Sequence, residues 1–282
     1  MNIQLLSDLH LEAHPNFTAQ PTPGADVLVL AGDVGSYQPG SKLEDADFGL
    51  ARFSPHHGWP TPVIFVPGNH EYDTLDFDEA HARLRETCAR LGLIWLERET
   101  MVLDGVRFVG TTLWSDFDAL GPTAADIPVQ KGVNHTTNVL AEQLKARDKA
   151  FRAANYYLSK TLTTRAGEPW VAEGLREQSL VCQDWLRSAL ATPFDGPTVA
   201  VTHFAPSLLS ADPRYGRTPG TAGFCNALDD LLPLAHTWLH GHLHAPSDYV
   251  HHGCHVVANP LGYARKNEQV GYRPDLLVQI GL

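Results

Sequence analysis

Val63-Ile64-Phe65-Val66-Pro67-Gly68-Asn69-His70-Glu71 decides how this chain of 282 residues is read. Four residues that are all β-branched or aromatic stop at a proline and a glycine, and an amide, an imidazole and a carboxylate follow at once. An apolar run of that length without polar alternation predicts a strand covered on both faces. The polar residues then fall at the strand's carboxyl end, where α/β folds gather functional groups. The same transition recurs: Ile3 to Leu6 runs into Ser7-Asp8-Leu9-His10, Val27 to Leu30 into Ala31-Gly32-Asp33, and Val199 to Val201 into Thr202-His203.

Helical patterns lie between these strands. Phe77, Ala80, Leu84, Cys88 and Leu91 recur at spacings of three and four and stop at Gly92, which predicts an amphipathic helix packed on a sheet. Leu175, Cys182, Leu186 and Leu190 do the same over residues 172–191, ahead of Pro193. Further strands are predicted at Ile94 to Leu96, Met101 to Leu103 and Val106 to Val109, with Asp104-Gly105 as a hairpin turn. The carboxyl-terminal third adds Thr237 to Leu239, Tyr249 to Val250, His255 to Ala258 and Leu276 to Ile280. The alternation breaks between Ser115 and about Glu168, where Gly121-Pro122 and Ile127-Pro128 precede a polar helix from about Asn138 to Leu162. One domain spanning residues 1–282 is expected, with residues 115–168 as a helical insertion that either lies over the site or stays peripheral.

Composition narrows the function classes. With 43% apolar residues the chain can bury a large core. A formal net charge of −11 and a pI of about 5.7 give no general positive field, which argues against nonspecific nucleic-acid binding. Phosphates remain accessible substrates if bound cations reverse the local field. The cysteines, Cys88, Cys182, Cys225 and Cys254, form no C-x-x-C pair and read as reduced thiols. Met1 to Leu6 has no basic leader, and no run approaches the roughly 20 apolar residues of a membrane helix, so the expectation is a cytoplasmic protein with no membrane association.

Five motifs occur in order: Asp8-x-His10, Gly32-Asp33, Gly68-Asn69-His70-Glu71, His203 after a strand, and Gly241-His242-x-His244. Each alone is weak, since Asp8 could be a turn residue, Asn69 a helix cap and His10 a surface histidine. Together, each at a predicted strand end, they form a mixed oxygen and nitrogen donor set suited to Mn, Fe, Zn or Co. Residues i and i+2 of an extended segment face one side, so Asp8 with His10, and His242 with His244, are each expected to converge on a point.

In these motifs the chain resembles the calcineurin-like metallophosphoesterases, over residues 8–244. The resemblance implies an α/β (α+β) four-layer sandwich, with two mixed β-sheets face to face and helices outside. It implies that Asp8, His10 and His244 hold one divalent metal ion, that Asn69, His203 and His242 hold a second, and that Asp33 bridges them. His70 would be the catalytic acid. Two cations about 3.5–4 Å apart share a hydroxide and clamp the phosphoryl oxygens for in-line displacement, and a histidine near its ordinary pKa of about 6.5 protonates the departing alkoxide. One position departs from the pattern: many members carry an acid three residues after the bridging aspartate, where it orients the catalytic histidine, and here that residue is Ser36. Either another acid, such as Glu71, holds His70, or the ring is less firmly oriented.

The expected activity is hydrolysis of a phosphoric ester, diesters favoured, on a phosphorylated small molecule or nucleotide. Cleavage of a nucleotide pyrophosphate and a non-catalytic scaffold of the same fold are the alternatives, the scaffold ranked last because the ligands and the histidine are all kept. His240 alternates with His242 and His244, and is expected to point with them as a supporting hydrogen bond or substrate contact. Tyr263, Arg265, Arg214 and Arg217 are candidate substrate contacts or plain surface residues. His56, His57, His251, His252 and His255 read mostly as exposed.

Overall fold

Alternate residues of single strands feed two different cores. The computed structural model describes residues 1–129 and 134–281, so residues 130–133 of the expected insertion lie outside the described residues. In chain order the strands are β1 (Asn2–Leu6), β2 (Val27–Ala31), β3 (Val63–Val66), β4 (Ile94–Trp95), β5 (Glu99–Leu103), β6 (Val106–Thr111) and the short pair β7 (Thr164–Arg165) and β8 (Glu168–Pro169). Then come β9 (Thr198–Thr202), β10 (Thr237–His240), β11 (Ser247–His251), β12 (Cys254–Ala258) and β13 (Leu277–Gln279). The helices are α1 (Phe77–Leu91), α2 (His135–Thr161) and α3 (Ala172–Ala191).

One sheet runs β13-β1-β2-β3-β4 and the other β11-β12-β10-β9-β6-β5. Each has a parallel centre, with β13 antiparallel on the first and β5 and β11 antiparallel on the edges of the second. Ile3, Leu5, Val27, Val29, Ile64 and Val66 of the first sheet pack in one cluster with Phe108, Val199, Val201, Leu239 and Val257 of the second. Their neighbours in sequence, Leu6, Leu28, Leu30, Phe65, Ala200 and Trp238, face the opposite way, into a second cluster with Leu84 and Cys88 of α1 and Leu175, Cys182 and Leu186 of α3. Strands buried on both faces explain the unbroken apolar runs. The two sheets are therefore packed face to face with helices outside, as expected.

Helix α1 starts where the Asp76 carboxylate accepts from Asp78 N and ends at Gly92, whose φ of 74° needs no Cβ. α2 begins earlier than its apolar pattern implies, because the Asn134 side chain accepts from Thr137 N. The β7–β8 hairpin had no signal beyond Ala166-Gly167, its two left-handed turn residues. The far end of α2 reaches the segment after His70: Thr74 N donates to Thr161 O at 2.8 Å, and Thr163 Oγ1 to Tyr72 O at 3.2 Å. No helix among the described residues is long and apolar enough to cross a membrane, and all four cysteines are buried free thiols.

Candidate metal centre

The two sheets end together, and their carboxyl-terminal loops converge. Asp8, His10, Asp33 and His244 bring ligand atoms within 4.8 Å of one another, as do Asp33, His203 and His242. Asp33 belongs to both groups. Asn69 stands beside the second, its Oδ1 3.1 Å from His203 Nε2.

The convergence is not achieved by extended backbone. β1 ends at Leu6 and β10 at His240, and Asp8, His10, Asp33, His242 and His244 adopt φ of 53°, 46°, 54°, 73° and 50°. Left-handed conformations at non-glycine residues cost free energy and persist only where the surroundings hold them. Here the loops brace one another: Asp8 N donates to Gly32 O, His10 N to Asp33 O, and Gly241 N to His203 O, and His242 N donates to Asp8 Oδ1 at 2.9 Å. A Cβ on Gly241 would lie 2.6 Å from Asp8 Oδ2, so only glycine lets these loops approach so closely. The expected alternation therefore fails in detail. His242 and His244 turn to different groups, and His240 turns away from both, fully buried, with Nδ1 donating to Gly241 O and Nε2 accepting from Ser210 Oγ at 2.9 Å.

Several polar atoms at the centre are left over. Asp8 Oδ2, Asp33 Oδ2 and His242 Nε2 are buried without a hydrogen-bond partner. His203 Nε2 lies 3.2 Å from Asp33 Oδ2, but without hydrogen-bond alignment. His10 Nε2 and His244 Nε2 face each other at 2.9 Å. Their other nitrogens are committed, His10 Nδ1 donating to Glu12 at 3.0 Å and His244 Nδ1 to Glu268 at 2.7 Å. At that spacing the two ring nitrogens either share a proton or, with both unprotonated, serve as neighbouring ligands of one cation. Orphaned carboxylate oxygens and facing imidazoles thus fit divalent cations, and the carboxylates behind the rings fix their tautomer. Ala31 O serves His203 in the same way, accepting from Nδ1 at 2.8 Å. Glu12 and Glu268 were not singled out by sequence: Glu12 had the signal of standing two residues past His10, whereas Glu268 is 24 residues beyond His244.

Charge states in the metal-free field divide the ligands. Burial opposes a charge on His203, but Asp33 outweighs it and pushes the ring up to about 9, so a bound cation must displace a proton there, whereas His242 and His10 need no such exchange. Burial, reinforced by His203, holds His242 well below the ordinary histidine value, and burial also lowers His10, so both rings stay neutral. Burial alone would raise Asp33, but His203 and His70 outweigh it and keep the carboxyl ionised.

His70 lies at the rim with its side chain 22% exposed, and its Nδ1 is bonded to Asp73 Oδ2 at 2.6 Å. Ser36 Oγ donates to the same oxygen at 3.1 Å. Burial opposes a charge on His70, but Asp73 and Asp33 together raise it well above its ordinary value, so in the protein's own field it carries a proton at neutral pH. Glu71, the acid considered for holding His70, does something else. Its carboxylate accepts from Gly68 N at 2.8 Å, Asp33 N at 3.1 Å and Val34 N at 2.6 Å, tying the loops after β2 and β3 together. Tyr263 stacks on His10 at 4.2 Å, while Arg214 is held by Asp212 and donates to His244 O at 3.1 Å. His56, His57 and His252 are exposed, and His251 and His255 half-buried.

The sequence profile of the family described as calcineurin-like phosphoesterase matches residues 1–246. The chain belongs to this family. It is 25% identical over 268 residues to an uncharacterized protein, L509, of Acanthamoeba polyphaga mimivirus, covering 90% of this chain and 83% of that one. Among solved structures, the phosphopantetheinyl hydrolase of Mycobacterium tuberculosis superposes with a TM-score of 0.65 at 20% identity, covering 99% of this chain and 95% of that one. A dimetal phosphatase from Danio rerio superposes at 0.45 and 13% identity, covering 97% and 89%. Membership makes the chain a metallophosphoesterase, and the two side-chain groups give it places for metal.

Proposed function

We propose that the chain is a dinuclear metal-dependent phosphoesterase, hydrolysing phosphoric esters with diesters preferred. The supporting observation is the pair of ligand groups that share Asp33 and leave its Oδ2 without a partner. In this reading Asp8, His10 and His244 hold one cation, Asn69, His203 and His242 the other, and Asp33 serves both. Two such cations supply Lewis acidity to the phosphoryl oxygens and lower the pKa of water.

The chain's own side chains do the rest. Glu12, Glu268 and Ala31 O keep three imidazoles aimed inward. The bond to Asp73 occupies His70 Nδ1, which leaves Nε2 to give its proton to the leaving oxygen as the phosphorus–oxygen bond breaks. The segment at about 115–168 is an insertion into a single catalytic domain. Its helix α2 packs on the Pro219–Gly223 turn, next to Phe224, whose ring lies 5.1 Å from that of His242. It thereby shapes the substrate side of the site.

The test is turnover of bis(4-nitrophenyl) phosphate and 4-nitrophenyl phosphate with added Mn²⁺, alongside a dinucleoside pyrophosphate. Metal-dependent turnover with the diester ahead is expected, and His70→Ala should lose about 10²–10⁴-fold on esters with poor leaving groups. A faster pyrophosphate reaction would reassign the scissile bond, and no metal-dependent turnover of any of the three would refute the proposal.

A further inference from the structure

The acid bonded to His70 is Asp73, and the residue three after Asp33 is a serine bonded to that same acid. We infer that Asp73 is the positioning residue for His70 and that Ser36 is its latch, so that positions 36 and 73 together take the part that the resemblance gives, in many members of the family, to a single acid at the position of Ser36. This rests on the reading of His70 as the proton donor.

Local geometry carries the inference. His70–Tyr72 forms one 3₁₀ turn, with Asp73 N donating to His70 O at 3.2 Å. Three residues make one turn of such a helix, so side chains 70 and 73 are eclipsed on one side. That eclipse brings the Asp73 carboxylate, 2% exposed, to Nδ1 of His70. Its Oδ2 also accepts from Ser36 Oγ, and Ser36 Oγ in turn accepts from Gln38 N at 3.0 Å. The hydroxyl is thereby aimed at Asp73. Flanking bonds hold the turn from outside, through Thr163 on Tyr72 O and Thr161 O on Thr74 N. Position 36 is one hydrogen bond from the carboxylate, which is why a serine suffices there and why an acid there could take the role.

Three variants test this against esters of a good and a poor leaving group, 4-nitrophenol and a simple alcohol. Asp73→Asn, nearly isosteric, should lower kcat by roughly 10–100-fold for the alkyl ester, the scale at which such supporting partners act, and far less for the nitrophenyl ester. Ser36→Ala, which keeps the carboxylate, should cost about fivefold on the alkyl ester, one hydrogen bond's worth. The exchange Ser36→Asp with Asp73→Ser should restore the alkyl reaction to within about that same factor. A metal-independent readout is the ring N–H of His70 in ¹H–¹⁵N spectra of the apoprotein. Its strongly deshielded Nδ1 proton should vanish in Asp73→Asn and return in the exchange. Equal losses on both esters, or an unchanged Nδ1 resonance in Asp73→Asn, overturn the inference. If His70→Ala itself shows no leaving-group dependence, the proton-donor reading fails and takes this one with it. A dependence seen in His70→Ala but absent from Asp73→Asn overturns this inference alone.

Discussion

Removing the Glu71 side chain should destabilise the fold more than removing any metal ligand, although Glu71 holds no metal in this account. Its carboxylate accepts three backbone N–H groups, from Gly68, Asp33 and Val34, at 2.8, 3.1 and 2.6 Å, in a site with 1% exposure. Hydrogen bonds to a charged acceptor contribute about 1.5–3 kcal/mol each. Three give a gross value of roughly 4–9 kcal/mol. The buried charge offsets part of this, since burial and the neighbouring Asp33 push Glu71 up to about 7. A net loss of about 3 kcal/mol or more is therefore expected for Glu71→Ala, which strands three buried donors. That is a large share of a typical 5–15 kcal/mol. Glu71→Gln keeps one acceptor oxygen but turns an NH₂ toward a backbone N–H, so its loss should be intermediate. Urea denaturation of the metal-free protein at about pH 8.5, where the Glu71 carboxyl is ionised, measures both, free of any contribution from bound ions. A loss below about 0.5 kcal/mol for Glu71→Ala, within the range of an ordinary surface change, would refute the clamp.

Other outcomes follow from the same structure. Glu268→Gln and Glu12→Gln should each weaken metal binding by about 10–100-fold while leaving the direct ligands in place, measurable by competition with a chelating dye; unchanged affinity would dismiss both carboxylates as supports. His81 is pushed down to about 4 by burial and then by Arg98, so it is neutral in the fold, while the unfolded chain protonates near 6.5. Its contribution to stability is complete above pH 6.5 and is lost as pH falls from 6.5 toward about 4. Urea midpoints across that window should flatten in His81→Gln, and an identical slope in the variant would contradict the assignment. Burial pushes Cys88, Cys225 and Cys254 up to about 12. The native protein should therefore resist a thiol reagent at pH 8 that labels the unfolded chain, and rapid native labelling would show the thiols are accessible.

Much of this architecture was legible because the strands are buried on both faces. Val63–Val66 and Val27–Ala31 have no solvent side to punctuate with polar residues, so their ends are sharp and the polar residues after them stand out. The direction of those polar residues was not legible. Convergence of Asp8 with His10 was expected from strand alternation, yet both lie beyond β1 in left-handed conformations that the sequence pattern does not encode. The same cause misplaced His240, the last residue of β10, which follows the strand's pleat while His242 and His244 leave it. Asp73, Glu12 and Glu268 escaped notice for a different reason. A carboxylate that supports a histidine needs only to reach one ring nitrogen, and it can come from 3, 2 or 24 residues away. Another acid does hold His70, but it is Asp73 rather than Glu71, because adjacency to His70 in sequence says nothing about which way a side chain points out of a 3₁₀ turn.

The central claim is that Asp33 belongs to two cation sites at once. Elemental analysis after equilibration with Mn²⁺ and removal of loose ions tests it most directly, on the wild type and on Asp33→Ala. Two ions per chain in the wild type and a collapse of both in the variant are predicted. No specific uptake by the wild type, or a full pair retained without Asp33, would contradict the account.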